Sequence, residues 1–331
     1  MRAKRPARRS VLKAMAATAA AGAATIAMPR IGRAAPPKLV IGKSVSTLLA
    51  YTPVDVGLAN DFYQKHGVEL EVVSFNGAAR MHQAMVSGAI DIALGSGPAM
   101  INIGKGEPSL CIAQTLGPPA DLAIIVPYDS PIKTLDDMRG KVSGVASAGS
   151  VTEWVLFELA RQKGWPIGDM KTVGLGGVEA AVAAIRTHQV DAVVADVAAG
   201  LFLEPQKIGR VLVPCSSYIG DFIMHANYAS TKAMSEKPEA ITAFCAGWFE
   251  AIALMQKDKD QTVRIATPIM KFDPAIVSES YDIVVTKMSR TGRFDPKSLA
   301  TLARSYVEMK QLPSEPDMSK FYTEKFLPKS A

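Results

Sequence analysis

The chain has 331 residues, 48% hydrophobic and 21% charged, a balance that suits a folded globular protein and excludes a disordered one. Its formal net charge of +6 invites a nucleic-acid or membrane-surface partner, but the excess is local. Eight Lys and Arg and no acid stand in residues 1–35; without them acids slightly outnumber bases, and no nucleic-acid partner is expected.

Taken in chain order, residues 1–35 read as an export signal. A basic start leads into the apolar stretch Ala14–Met28, which is shorter than the roughly twenty residues a membrane span needs. Small residues follow at Ala34 and Ala35, where a peptidase would cut. Within the leader, "ARRSVLK" (7–13) resembles a twin-arginine signal, with Val11 where phenylalanine is commonest. The mature chain is then expected to start near Ala35 or Pro36, in the periplasm.

An internal repeat organises the rest of the chain. "AMVSGAIDIALGS" (84–96) aligns without gaps to "AIRTHQVDAVVAD" (184–196), at an offset of 100. Each copy reads as a helix end, a polar turn and an Asp leading a short apolar strand. Upstream, "VELEVVSFNG" (68–77) faces "GDMKTVGLGG" (168–177), and "KLVIGKSVSTLLAY" (38–51) faces "KVSGVASAGSVTEW" (141–154). Each half thus runs strand, helix, strand, helix, strand, which predicts parallel sheets with right-handed crossovers. Two α/β lobes are expected, residues 36–117 plus 223–331 and residues 118–222. The chain would cross between them near 114–119 and 216–222. From about Ser235 the pattern is helical, opening at Pro238 and placing Ile241, Phe244, Cys245, Trp248, Phe249, Ile252 and Met255 on one face. That stripe reads as core, and the tail is expected to pack on the first lobe.

Open parallel sheets bind ligands outside the carboxyl ends of their strands. The loops at those ends are 43–51, 74–77 and 95–98 in the first lobe and 146–154, 174–177 and 195–200 in the second. They are rich in Gly and Ser, and their charges are Lys43, Glu153 and Asp196. Such loops let backbone N–H groups at helix starts approach a compact anionic or polar head. "GVASAGSV" (144–151) has the glycine spacing of a phosphate loop, but Ser150 stands where the lysine belongs, which argues against a triphosphate with Mg²⁺. "GSG" around Ser96 lacks the outer glycines of a nucleophile elbow. Ser130-Pro-Ile-Lys133 fits S-x-x-K only as a turn would. His66, His82, His188 and His225 form no metal-ligand spacing and read as structural or surface residues. Cys111, Cys215 and Cys245 form no C-x-x-C pair and read as free thiols. No catalytic residue, metal or cofactor is expected.

The segments "YTPVDVGLANDFYQKHGVELEVV" (51–73), "MVSGAIDIALGSGPA" (85–99) and "DSPIKTLDDMRGKVSGV" (129–145), with the small-residue loop after them, carry a family resemblance. They resemble the extracytoplasmic solute-binding proteins of ABC importers in the nitrate, sulfonate and taurine group, which also includes binders of pyrimidine thiamine precursors. The resemblance implies a type II periplasmic-binding-protein fold: α/β, two lobes, a hinge of two crossings and a ligand cleft. It implies a monomer that binds a small molecule, closes on it and docks to an inner-membrane ABC permease. It further implies that Gly149, Ser150, Val151 and Thr152 receive an acidic head group, faced by Ser44, Ser46, Thr47 and Ser96 from the first lobe. Thr115, Tyr218 and Asp221 would lie near the crossings, and Asp196 would meet a substrate amine, unless it and Asp221 are ordinary turn caps. Tyr51 and Trp154 would wall an organic body or else be packing. The cleft loops hold no Arg, so an organic anion of sulfonate or carboxylate type fits better than nitrate. The alternatives are a thiamine-pyrimidine-precursor binder, a pyrimidine synthase of the same fold, and a receptor for another transporter or a sensor system.

Overall fold

The computed structural model describes residues 36–75 and 77–329; the signal, twin-arginine motif and cleavage point expected in residues 1–35 lie outside them. The strands in chain order are β1 (Lys38–Lys43), β2 (Glu69–Ser74), β3 (Ile92–Ser96), β4 (Ser109–Leu116), β5 (Leu122–Pro127), β6 (Val142–Val145), β7 (Lys171–Gly174), β8 (Ala192–Asp196), β9 (Gly209–Pro214) and β10 (His225–Ser230). They form two five-stranded sheets of the same design, ordered β2-β1-β3-β10-β4 and β7-β6-β8-β5-β9. Central strands such as β3, β5, β8 and β10 are short runs buried along nearly their whole length, as sheets covered by helices on both faces require. The edge strands β2 and β7 keep Glu69, Glu71 and Lys171 exposed, and such charges discourage pairing with another chain.

The repeat seen in the sequence is a repeat of hydrogen bonds. The Asp91 N–H donates to the Val40 carbonyl (2.8 Å), and its Oδ2 accepts from the Val40 N–H (2.9 Å). Asp191 does the same with Val142, at 2.8 Å in both directions. Each aspartate therefore pins the start of the neighbouring parallel strand. Val40 corresponds to Val142 rather than to Ser143, so the alignment of 38–51 with 141–154 is one residue out of register. A one-residue slip would turn every side chain to the opposite face, and four-residue β6 is too short for its alternation to fix the match.

The sheets are not wholly parallel. β5 runs antiparallel to β8 and β9, and β10 antiparallel to β3 and β4. These are the first strands after each crossing. The chain leaves the first sheet at Leu116 and enters the second at Leu122, then leaves at Pro214 and re-enters the first at His225. Each crossing delivers the chain to the carboxyl edge of the receiving sheet, so the next strand must run backwards. Leu122 pairs with Asp196 at the end of β8, and His225 with Ser96 at the end of β3. The residues that end each crossing are thereby placed on the edge where ligands bind.

The helical tail opens as expected. Every residue of the predicted stripe on Pro238–Lys257 is buried, each contributing about 1.5–3 kcal/mol if fully removed from water, and the helix packs on Pro53–Ala59 and Phe62–Lys65 of the first lobe. The rest of the tail does not stay there. The helix Pro274–Val284 packs on Val197–Leu203 of the second lobe, with Phe272 and Phe202 rings 5.8 Å apart. Arg304, on the helix Pro296–Glu308, bonds Glu158 at 3.1 Å. The tail spans both lobes, because second-lobe helices offer it faces that their own sheet does not cover. All three cysteines are free and buried. No helix among the described residues is long and apolar enough to cross a membrane.

Candidate functional site

The carboxyl ends of β6, β7 and β8 surround a recess of about 130 Å³, lined in part by Val145, Ala146, Thr152, Gly176, Gly177 and Asp196. Three of the loops picked out by the strand-end rule therefore converge. The loop 146–152 is internally braced. Gly149 sits at φ 72°, in the left-handed region that glycine enters without steric cost. Its N–H donates to Glu153 Oε2 (2.8 Å), and Thr172 donates to Oε1 of the same carboxylate (2.6 Å). Ser150 precedes the helix Val151–Lys163 and donates its hydroxyl to the Ser147 carbonyl (2.6 Å). Thr152 Oγ1 lies 2.8 Å from Ser150 Oγ and accepts from the Ala146 N–H (2.9 Å). The hydroxyls are spent on the loop's own shape, and what a helix start leaves for a ligand is the N–H groups of its first residues, Val151 and Thr152.

Asp196 closes the recess. Its Oδ1 accepts from the Ala198 N–H (2.8 Å) and caps Val197–Leu203, so the turn-cap role weighed for it is real. Burial pushes its carboxyl up to about 7, and nearby Asp121 adds to the shift, while the Ala198 bond and His225 pull the other way. A carboxyl poised near neutrality accepts hydrogen bonds when charged and donates one when protonated.

On the first-lobe side, Ser44 is buried and donates to the Tyr51 hydroxyl (3.1 Å). Ser46 is exposed and Thr47 half-buried. Ser96 is half-buried at the end of β3, with its carbonyl held by the Tyr228 hydroxyl (2.6 Å). Thr115 is buried, and its Oγ1 has no partner among the described residues. Lys43 is buried 2.5 Å from Asp55 and is committed to that pair.

None of these first-lobe residues lines the recess, and three further aromatic or acidic candidates also lie away from it. Trp154 is fully buried, stacked on Phe222 at 4.4 Å and donating to Glu308 (2.9 Å); it is core, not a wall for a ligand. The Tyr218 hydroxyl donates to the Val155 carbonyl (3.1 Å), tying the return crossing to a helix. Asp221 is exposed on that crossing.

His225, which the sequence reads as a structural or surface residue, and Asp121, which no motif picks out, form a buried pair at the crossings. His225 Nε2 is 2.5 Å from Asp121 Oδ2, and its Nδ1 is 3.3 Å from the Tyr51 hydroxyl. A chain Ser44–Tyr51–His225–Asp121 thus runs from the first lobe to the first crossing, with every member less than a twentieth exposed. Within it Ser44 donates to Tyr51 and makes no bond to His225. The signal that could have found the pair is topological: both residues end a crossing. No group of three or more His, Cys, Asp or Glu that could hold a metal ion occurs among the described residues.

Two lobes of matched topology joined by two crossings, each returning through an antiparallel strand, define a type II periplasmic-binding-protein fold. Residues 50–262 match the family model described as NMT1/THI5 like, and the chain belongs to that family. No curated protein sequence matches the chain. Among solved structures, the periplasmic aliphatic sulphonate binding protein SsuA from Escherichia coli is 19% identical with a TM-score of 0.74, over 87% of this chain and 92% of that one. The periplasmic nitrate-binding protein NrtA from Synechocystis PCC 6803 is 15% identical with a TM-score of 0.66, over 87% and 86%. The fold is not confined to binding proteins. The desulfurization enzyme DSZB is 12% identical with a TM-score of 0.64, over 88% and 97%.

Proposed function

We propose that the chain is the exported, monomeric receptor of an ABC importer and not an enzyme. Residues 36–117 with 223–331 form one lobe and 118–222 the other, and a small organic anion of sulfonate or carboxylate type is captured between them for delivery to an inner-membrane permease. The observation that supports this is the start of the helix Val151–Lys163, which opens onto a glycine-walled recess at the carboxyl edge of the second sheet. The positive dipole end favours an anion by about 0.3–1 kcal/mol when exposed and ~2 when partly buried. Micromolar affinity needs about 8 kcal/mol, so burial of the ligand body and contacts from the Ser44 and Ser96 side must supply the rest. That demand favours closure of the lobes on the ligand. With Lys43 held by Asp55, a bare inorganic anion has little to gain, whereas an organic body adds apolar burial.

A thermal-shift comparison of ethanesulfonate, short carboxylates, nitrate, simple amines and aminopyrimidines tests the reading. A sulfonate or carboxylate at about 1,000 times its Kd is expected to stabilise the protein by about 4 kcal/mol, with nitrate far behind. If only amines or pyrimidines raise the melting temperature, the anion reading is wrong. If some compound is turned over, the receptor reading is wrong as well.

A further inference from the structure

The helix Pro296–Glu308 stands on the first lobe and reaches across to the second. Leu302 and Tyr306 are buried, the helix packs on Gly97–Met100, and the Asp295 N–H at its start donates to Gln114 (3.4 Å). Its contacts with the second lobe run antiparallel to the helix Val151–Lys163 and keep a regular register. Beyond the end of the tail helix Gln311 meets Gly149 (2.7 Å); within it Glu308 meets Trp154 (2.9 Å) and Arg304 meets Glu158 (3.1 Å). The last two pairs are four residues apart on both helices, so each helix presents one face to the other. At the far end Gln162 donates both to Glu158 (2.8 Å) and to the Tyr218 carbonyl of the return crossing (2.9 Å). The row therefore runs from the recess loop to a crossing.

Neither charge in this row is stranded if the row parts. Glu158, whose side chain is only 4% exposed, keeps two bonds from Arg161 on its own helix (2.7 and 2.6 Å) and the bond from Gln162. Arg304 keeps Glu308, four residues further on (3.2 Å), and Trp154 keeps its stack on Phe222. A buried ion left without any partner is strongly destabilising and would weld the lobes together. Here each ion has a second partner on its own lobe, so the contact can open and re-form. We propose that Arg304 and Glu158, with Glu308 and Trp154 beside them, form a reversible clasp between the lobes, made in the closed arrangement and released on opening. They are positioning residues for capture, because the clasp sets how much of the ligand-free protein is already closed. A ligand that needs both lobes binds more tightly in proportion to that fraction. This consequence for the ligand rests on the receptor reading above; the clasp itself does not.

Electron–electron resonance between nitroxides attached at Ser87→Cys and Thr187→Cys reads the separation of the lobes. These exposed residues hold equivalent places in the two halves of the repeat, neither belongs to the clasp, and the native cysteines are buried. Arg304→Met keeps the stem and removes the cation, and Trp154→Phe keeps a ring on Phe222 and removes the N–H donor. Each is expected to lower the closed-to-open ratio of the ligand-free protein about two- to fivefold. Lys259→Met breaks an ion pair to Asp282 that joins two tail helices to each other (2.6 Å), and is expected to leave the distances unchanged. A lower melting temperature with unchanged distances in Arg304→Met and Trp154→Phe refutes the clasp, as does an equal shift in Lys259→Met. Two variants that break different contacts keep the test decisive if one does not fold. Calorimetry is expected to show ethanesulfonate binding weakened by the factor by which the closed fraction falls, and saturating ethanesulfonate to restore the short distance. Unchanged affinity beside shifted distances refutes the role in capture. If ethanesulfonate binds none of the proteins while the distances shift as stated, the anion reading fails and the clasp stands.

Discussion

A carboxyl half-buried at the edge of the recess costs stability for as long as it is charged. Because the native Asp196 value, about 7, lies above the ordinary 3.8, the folded state holds this proton more tightly than the unfolded chain. Its contribution is therefore most favourable below about pH 4 and is lost as pH rises through about 7. Asp196→Asn keeps the oxygen that caps Ala198 and removes the charge. The variant is expected to outlast the wild type in urea by a margin that grows between pH 5 and 7 and levels off above, reaching at most about 4 kcal/mol. An equal margin at pH 5 and pH 8 would assign the gain to something other than ionisation. That Asp196, Ser44 and Ser96 stand at strand ends was legible, because such ends can be read from apolar runs. His225 and Asp121 were not, since a lone histidine carries no spacing signal and its partner is 104 residues away. Trp154 and Tyr218 show the converse, as an aromatic beside a cleft loop looks the same in sequence whether it faces ligand or core.

Between residue and lobe, the repeated unit is a helix, a left-handed turn and an aspartate that locks a parallel strand. Gly88 and His188 occupy the same turn position, at φ 74° and 53°, and each precedes its aspartate by three residues. Nothing lies within 4 Å of a Cβ added at Gly88, so Gly88→Ala tests backbone strain alone and is expected to cost about 1 kcal/mol. Asp191→Ala leaves the Val142 N–H without its side-chain acceptor, and about 1–3 kcal/mol should be lost. Asp91→Ala should cost more, because Asp91 also bonds Lys237 at 2.9 Å and Asp191 has no such partner among the described residues. Urea midpoints rank the three, and an Asp191→Ala loss exceeding that of Asp91→Ala would break the argument. The repeat was readable because an aspartate between a polar turn and an apolar run survives in both copies. Its register was misread where β6 has four residues, and the antiparallel strands were missed because strand direction depends on where the chain re-enters a sheet, which no local pattern encodes.

For the molecule as a whole, the crossing near Gly117-Pro118-Pro119 was legible as turn-forming sequence, but the destination of the tail was not: amphipathic helices reveal a buried face without naming what buries it. That destination bears on function. Glu308 accepts from Trp154 Nε1 (2.9 Å), Arg304 bonds Glu158 (3.1 Å), and Gln311 donates to the Gly149 carbonyl (2.7 Å), so the tail grips both the helix Val151–Lys163 and the loop that begins it. The N–H groups proposed to meet the ligand are thus aimed partly by a residue 162 positions further along the chain. Gln311→Ala removes one half-buried hydrogen bond, worth about 0.5–1.5 kcal/mol, while Gly149 keeps its bond to Glu153. Since the loop must then be ordered by the ligand, about 1 kcal/mol of that loss should appear as an affinity for ethanesulfonate roughly fivefold weaker. Titration calorimetry beside a melting curve separates the two effects. A lowered melting temperature with unchanged affinity would reduce the tail to a structural strap, whereas weakened binding with a nearly unchanged melt would make it part of how the site is held ready.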